Sequence, residues 1–178
     1  MYNDIKEILI TEEQIQTRVK EMGKQIYDDY QNSNLLMVGV LKGVVPFFAD
    51  LMRSIDMQIN IDFMSVSSYG QNSSSTGEVR ILKDLDYSVI DKDVLIIEDI
   101  IDSGYTLNYL KKLFLERGAK SVRICAFLDK VDNREVDVEV EYIGYELPNE
   151  FIIGYGLDYA EKYRNLPFVA SLKEEVYS

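Results

Sequence analysis

Three runs of the chain are apolar at nearly every position: LLMVGV (35–40), DVLIIED (93–99) and SVRICAFL (121–128). A strand with one wet face alternates apolar and polar residues. A run without alternation belongs to a strand covered on both faces. Helical patterns separate these runs. Pro46 suits the first turn of a helix that runs to about Ser54. LNYLKKLFLERG places Leu107, Leu110, Leu113 and Phe114 on one side, and Gly118 stops that helix just past its cap. Strand–helix–strand order recurring from residue 35 onward predicts an α/β protein, with a central, mostly parallel sheet flanked by helices on both faces.

The remaining segments fill in around this frame. Thr11-Glu12-Glu13-Gln14 fits a capping box, and Ile15, Val19, Met22, Ile26 and Tyr30 recur at helical spacing, predicting a helix over about 12–31. INIDFMSVSSY (59–69) alternates as a strand, and EVRILKDLD (78–86) returns as another. Between them GQNSSSTG (70–77) has nothing apolar to bury, which predicts a mobile loop. The C-terminal third, 142–178, is rich in tyrosine and glycine and predicts short strands around an acidic turn. Neither a repeat nor a linker interrupts the chain, so residues 1–178 are expected to form one domain.

Histidine is absent, which removes Ser-His-Asp and Cys-His catalysis and most zinc sites. Acid–base work falls to carboxylates, lysine or tyrosine. Cys125 is the only cysteine and reads as a buried core thiol. MYNDIKEILI lacks the basic start and long apolar run of a secretory signal, and no apolar stretch nears the roughly 18 residues of a membrane span, so a cytoplasmic protein is expected. The formal net charge of −12 disfavours nucleic acid and anionic membranes as partners. It also means that a polyanionic substrate needs local cations or a metal.

Ligands of open parallel sheets bind beyond the carboxyl ends of the strands. Three turns therefore matter: Leu41-Lys42-Gly43, Asp99 through Thr106, and Asp129 through Arg134. In the second, Asp102-Ser103-Gly104-Tyr105-Thr106 opens a helix. Gly104 permits close backbone approach, Ser103 and Thr106 offer hydroxyls, and free first-turn amides favour an anion. A phosphate can sit there without lysine or arginine. Glu98 and Asp99 lie just before it, their side chains expected on opposite faces of the strand. Carboxylates suit vicinal hydroxyls or a hydrated Mg²⁺, so the stretch describes a sugar phosphate site. The plainer alternative is a set of helix caps and a solvated turn. Neither a Walker loop nor a G-x-G-x-x-G fingerprint occurs.

EDIIDSGYTL (98–107) resembles the 5-phosphoribosyl-1-pyrophosphate (PRPP) loop of the type I phosphoribosyltransferases. VGVLKGVVPFFADL resembles that family's pyrophosphate turn and SSYGQNSSSTGEV its flexible catalytic loop. FLDKVDNR and ELPNEFIIGYGLDYAEKYRNLPFV resemble the purine end of the hypoxanthine-guanine branch. The resemblance implies the type I fold, with a small hood from the N- and C-terminal segments over the carboxyl ends of the strands and a mobile catalytic loop at about 67–78. It implies transfer of the phosphoribosyl group of PRPP to N9 of hypoxanthine or guanine, giving IMP or GMP plus pyrophosphate, with Mg²⁺ as cofactor and a homodimer or homotetramer as assembly.

Site roles follow from the same resemblance. Glu98 and Asp99 bind the ribose hydroxyls and assist the metal; Asp102, Ser103, Gly104, Tyr105 and Thr106 hold the 5′-phosphate, the Tyr105 side chain standing where many relatives carry Lys or Arg. Asp102 is also the candidate general base at purine N7. Leu41, Lys42 and Gly43 meet pyrophosphate at a turn where the family has a non-proline cis peptide, and Arg164 binds pyrophosphate directly. Lys130 donates to the 6-oxo oxygen, Phe151 stacks on the purine, the Ile152 backbone reads its edge, and Asp158 belongs to the purine end and helps hold Mg²⁺. Ser68 and Tyr69 sit on the closing loop. Two rival readings use the same scaffold: a PRPP-binding regulator, against which stand the acidic charge and the lack of a spare domain, and a transferase for uracil, adenine or xanthine, where Lys130 favours a 6-oxopurine over adenine and the Phe151 region favours the purine branch.

Overall fold

The three apolar runs become β2 (Leu35–Leu41), β5 (Asp93–Ile101) and β6 (Ser121–Asp129) in a computed structural model that describes residues 1–68 and 79–177. They lie side by side as parallel strands, β2 on β5 and β5 on β6. β3 (Asn60–Ser68) pairs parallel with β2, β7 (Tyr142–Glu146) parallel with β6, and β4 (Val79–Lys83) antiparallel on the outer edge of β3. The six-stranded order is β4-β3-β2-β5-β6-β7. From β2 the chain winds one way to β3, and from β5 the other way to β6 and β7. The winding reverses between β2 and β5, and a crevice opens at such a point.

Period-2 alternation divides the core. Met37, Leu95, Ile97, Cys125 and Phe127 face the side covered by α1 (Glu12–Tyr30) and α2 (Val45–Ser54). Leu36, Val38, Val94, Ile96, Ile124 and Ala126 face α3 (Tyr105–Glu116), which supplies Leu107, Leu110 and Phe114. Both faces are apolar because both are covered. The Thr11 capping box forms as expected, its hydroxyl accepting from the Gln14 amide and the Gln14 side chain accepting from the Thr11 amide. Cys125 is fully buried, and burial pushes its thiol pKa up, as an inert core thiol requires.

Phe127 is 1% exposed and packs between Phe47 and Tyr155, with ring centroids 5.1 and 5.0 Å away. Truncation to alanine leaves a cavity that neighbours on three elements cannot collapse into. Phe127→Ala is expected to cost about 3–5 kcal/mol of stability, read by chemical denaturation.

A second, antiparallel sheet has the order β1-β9-β8, joining β1 (Ile5–Ile10) to β8 (Ile152–Ile153) and β9 (Val169–Leu172). Its strands come from the two ends of the chain, the arrangement that the resemblance implied for the hood. Ser67 and Ser68 are still part of β3, paired with Arg80 and Val79, so the segment read as a loop from residue 67 begins later. Tyr69 and the rest of that loop, to residue 78, lie outside the described residues. The strand read over 78–86 ends at Lys83, where Asp84 turns to bind its own neighbour's amide at Leu85 and the Arg117 guanidinium. Among the described residues no helix is long and apolar enough to cross a membrane.

Candidate active site

The ends of β2 and β5 meet at the reversal point. The Leu41–Lys42 peptide is cis and Lys42-Gly43 turns away from the sheet. A Cβ at Gly43 would overlap the Asp99 Oδ2 and come within 3.3 Å of the Gly156 carbonyl. A Cβ at Gly156 would overlap the Gly43 carbonyl. Glycine is needed at both, because the β2 turn and the C-terminal segment touch there backbone to backbone and the Asp99 carboxylate of β5 presses on the same turn.

Glu98 and Asp99 follow one another at the end of β5, near enough for each carboxyl to act on the ionisation of the other. Burial raises both pKa values, Glu98 most, and the adjacent Asp99 charge raises Glu98 further. Glu98 therefore keeps a proton longer than an ordinary carboxyl, and Asp99 accepts from the Ile100 amide at 2.8 Å. A carboxyl with a raised folded-state pKa binds a proton that the unfolded chain has released, so stability is lost as pH rises from the ordinary carboxylate range towards the folded value. Glu98→Gln removes that loss. Without ligand or metal the variant is expected to melt higher than the parent near pH 8, the gap closing towards about pH 4. Thermal denaturation at the two pH values checks this, and a gap that does not depend on pH would refute it.

After β5 the chain makes the phosphate-sized cup. Gly104 has φ 89° and is the residue before α3, whose first-turn amides have no side-chain cap. A Cβ there would also press to 3.1 Å from the Val136 carbonyl. The Ser103 carbonyl accepts from the Glu135 and Val136 amides, which pins the cup from outside. Tyr105 opens α3 but sends its hydroxyl to Glu135 (3.3 Å), so its side chain turns away from the cup.

Beyond β6, Lys130 begins a turn stitched to β5: its amide donates to the Ile101 carbonyl. Arg134 clamps this turn through a bidentate pair with Asp129, at 3.0 and 2.8 Å, Asp129 being 3% exposed. Asn133 donates to Asp102 (2.8 Å) and to Asn149 (3.0 Å). These links were not foreseen from sequence. The signal was the polar run D-K-V-D-N-R directly after an apolar strand.

Asp99, Asp102, Lys130, Phe151, Ile152 and Asp158 line one cleft of about 280 Å³. Phe151 is 39% exposed; the Tyr177 ring stacks on it at 4.9 Å and Tyr159 meets it edge-on at 5.2 Å. Arg164 pairs with Asp158 (2.8 Å) and Glu161 (3.3 Å), and Lys42 reaches the same Glu161 at 3.2 Å. Two of the expected pyrophosphate cations thus share a carboxylate at the cleft's edge. Among the described residues the buried Arg164 Nε has no hydrogen-bond partner. The segment carrying these groups is tightly wound: Gly154, Tyr155, Gly156, Ala160, Glu161 and Tyr163 all have positive φ. It is held by bonds such as Gly156 amide to Arg164 carbonyl and Glu161 amide to Asp158 carboxylate. Ser68 reaches the end of β3 in backbone terms only, and Tyr69 is outside the described residues.

No three acidic side chains converge into a metal cage among the described residues. Asp99 and Asp158 on the one cleft still fit Mg²⁺, which keeps several waters and is held by one or two carboxylates together with substrate phosphates.

Residues 6–160 match the family model for the phosphoribosyl transferase domain. The hypoxanthine-guanine phosphoribosyltransferase of Bacillus subtilis is 54% identical over 99% of this chain and 98% of its own length. A crystal structure of a hypoxanthine phosphoribosyltransferase from Staphylococcus aureus superposes with a TM-score of 0.97 at 52% identity, covering 100% of this chain and 97% of that one. The bifunctional protein TilS/HprT of Listeria monocytogenes is 52% identical over the whole chain, which spans 28% of that relative's length. The chain belongs to the phosphoribosyl transferase family, in the branch of the hypoxanthine-guanine phosphoribosyltransferases.

Proposed function

We propose that the protein transfers the 5-phosphoribosyl group of PRPP to N9 of hypoxanthine or guanine, giving IMP or GMP and pyrophosphate. One observation carries this reading: the carboxyls of Asp99 and Asp102, the Lys130 amine and the exposed Phe151 ring line one cleft at the end of β5, next to the uncapped start of α3. The cup amides of Ser103 through Thr106 hold the 5′-phosphate. Glu98 and Asp99 clasp the ribose diol. Lys42, with the Leu41 and Gly43 backbone, and Arg164 hold the diphosphate, displacing Glu161 from the two cations. Phe151 stacks on the purine, Lys130 donates to its 6-oxo oxygen, and the Ile152 backbone reads its edge.

As the C1′–O bond breaks, its electron pair leaves with pyrophosphate and the ribose ring gains positive charge. N9 attacks C1′ while the N7–H bond breaks, its pair staying on the ring and its proton passing to Asp102. One or two of the carboxylates of Glu98, Asp99 and Asp158 would hold Mg²⁺ together with substrate oxygens, and the ion would supply positive charge against that of the leaving group. Exclusion of water, which would trap the cation, is the role that the resemblance assigns to Ser68, Tyr69 and the stretch after them. A cytoplasmic homodimer or homotetramer, without nucleic acid or membrane partners, completes the reading.

The test is an absorbance assay with protein, Mg²⁺ and PRPP against hypoxanthine, guanine, xanthine, adenine and uracil. Turnover confined to 6-oxopurines supports the proposal. Turnover with another base reassigns the substrate, and PRPP binding without turnover on any base points to a regulator.

A further inference from the structure

Among the described residues the Asp102 side chain has one hydrogen-bond partner, the Asn133 amide, at 2.8 Å on Oδ1. Asn133 closes the short turn Val131–Asn133 that follows Lys130, and its own amide N–H donates to the Lys130 carbonyl. It arrives from the same turn that presents the candidate purine-reading lysine. A carboxylate only accepts, so Asn133 must face it with its NH₂ end. The other hydrogen of that group goes to the Asn149 Oδ1 at 3.0 Å. Both hydrogens are used, and a flip of the amide loses both bonds. Asn149 lies two residues before Phe151 and borders a second cavity of about 970 Å³ that also touches Lys130 and Phe151.

We propose that Asn133 is a positioning residue for the proton transfer: it pins Asp102 Oδ1 so that Oδ2 is the oxygen that takes the N7 proton. This rests on the function proposed above. During the step the N7–H bond breaks and the Oδ2–H bond forms, while Asn133 goes on donating to Oδ1. Without the amide the carboxyl turns freely about its last bond, and neither oxygen is held towards the purine. Through Asn149 the same amide ties the orientation of the base to the segment that carries the stacking ring, so proton acceptor and purine are placed by one connected set of groups. Substrate binding at the cup and acid pair does not pass through Asn133.

The experiment is a double-mutant cycle on kcat and on the KM for PRPP with hypoxanthine as acceptor, using Asn133→Leu, Asn133→Asp and Asp102→Ala. Asn133→Leu is expected to lower kcat by roughly ten- to a hundredfold, the loss of one charge-assisted hydrogen bond, with the PRPP KM changed less than about threefold. Asn133→Asp, which sets two carboxylates against each other, falls at least as far. In the Asp102→Ala background, Asn133→Leu costs nothing further in residual turnover. An unchanged kcat in Asn133→Leu, or an equal loss with and without Asp102, would overturn the role of Asn133 while the function stands. A parent protein without turnover on any purine would overturn the function and this role together.

Discussion

Asp102→Asn is expected to lower kcat by about 10²- to 10⁴-fold, the range set by removing a general base, while the KM for PRPP stays within about threefold. The asymmetry comes from where Asp102 stands. On the proposed reading the phosphate falls to the main-chain amides after Gly104 and the diol to Glu98 and Asp99, so neither loses a partner. Asparagine keeps the shape of aspartate and can still offer an oxygen to Asn133. It then turns its NH₂ towards the purine, a donor where the reaction needs an acceptor. Steady-state kinetics with hypoxanthine and PRPP decide the matter. A loss shared equally between kcat and PRPP affinity would mean that Asp102 grips the sugar phosphate instead of moving a proton.

Doubly buried strands were legible because burial on both faces leaves a continuous apolar run that nothing else in a chain this size needs. The capping box at Thr11 and the glycine at 118 were legible because they act within a few residues of themselves. The hood strands were harder to place. β8 is two residues long, and its partner in β9 lies about twenty residues on, while β1 comes from the other end of the chain. Periodicity cannot register so short a strand, and the pairing is decided by tertiary contact.

The site divides in the same way. The cup after Asp102 was readable since its chemistry is consecutive in sequence. The mutual effect of Glu98 and Asp99 on their ionisation was not readable from strand alternation, which describes Cβ directions and not how deeply a carboxyl is buried. Asn133, Arg134 and Glu161 escaped because each acts on a residue brought near only by the fold: Asn133 on Asp102, Arg134 on the buried Asp129, and Glu161 on Lys42. Hydrophilic residues after a strand carry no mark that separates a solvated turn from a clamp.

The facing glycines 43 and 156 lead to the second large effect. Gly43→Ala is expected to lower kcat/KM for PRPP by about a hundredfold or more, with a stability loss of only about 1–3 kcal/mol. The added methyl overlaps the Asp99 Oδ2 and crowds the Gly156 carbonyl at 3.3 Å. Since the backbone of the C-terminal segment cannot retreat without breaking the bonds that hold its positive-φ turns, the Asp99 side chain or the Lys42-Gly43 turn has to move. Either movement shifts a group that the proposed function sets against PRPP, one at the diol and one at the diphosphate. Gly23→Ala supplies the contrast: a Cβ there meets Ser54, including its carbonyl at 2.8 Å, far along α1 from the cleft. That variant should lose stability yet keep the parent kcat/KM. Measured by denaturation and by kinetics on both variants, the two losses separate only if the β2 turn and the β5 acid work as one unit. If Gly43→Ala behaves like Gly23→Ala, the contact between them is packing alone.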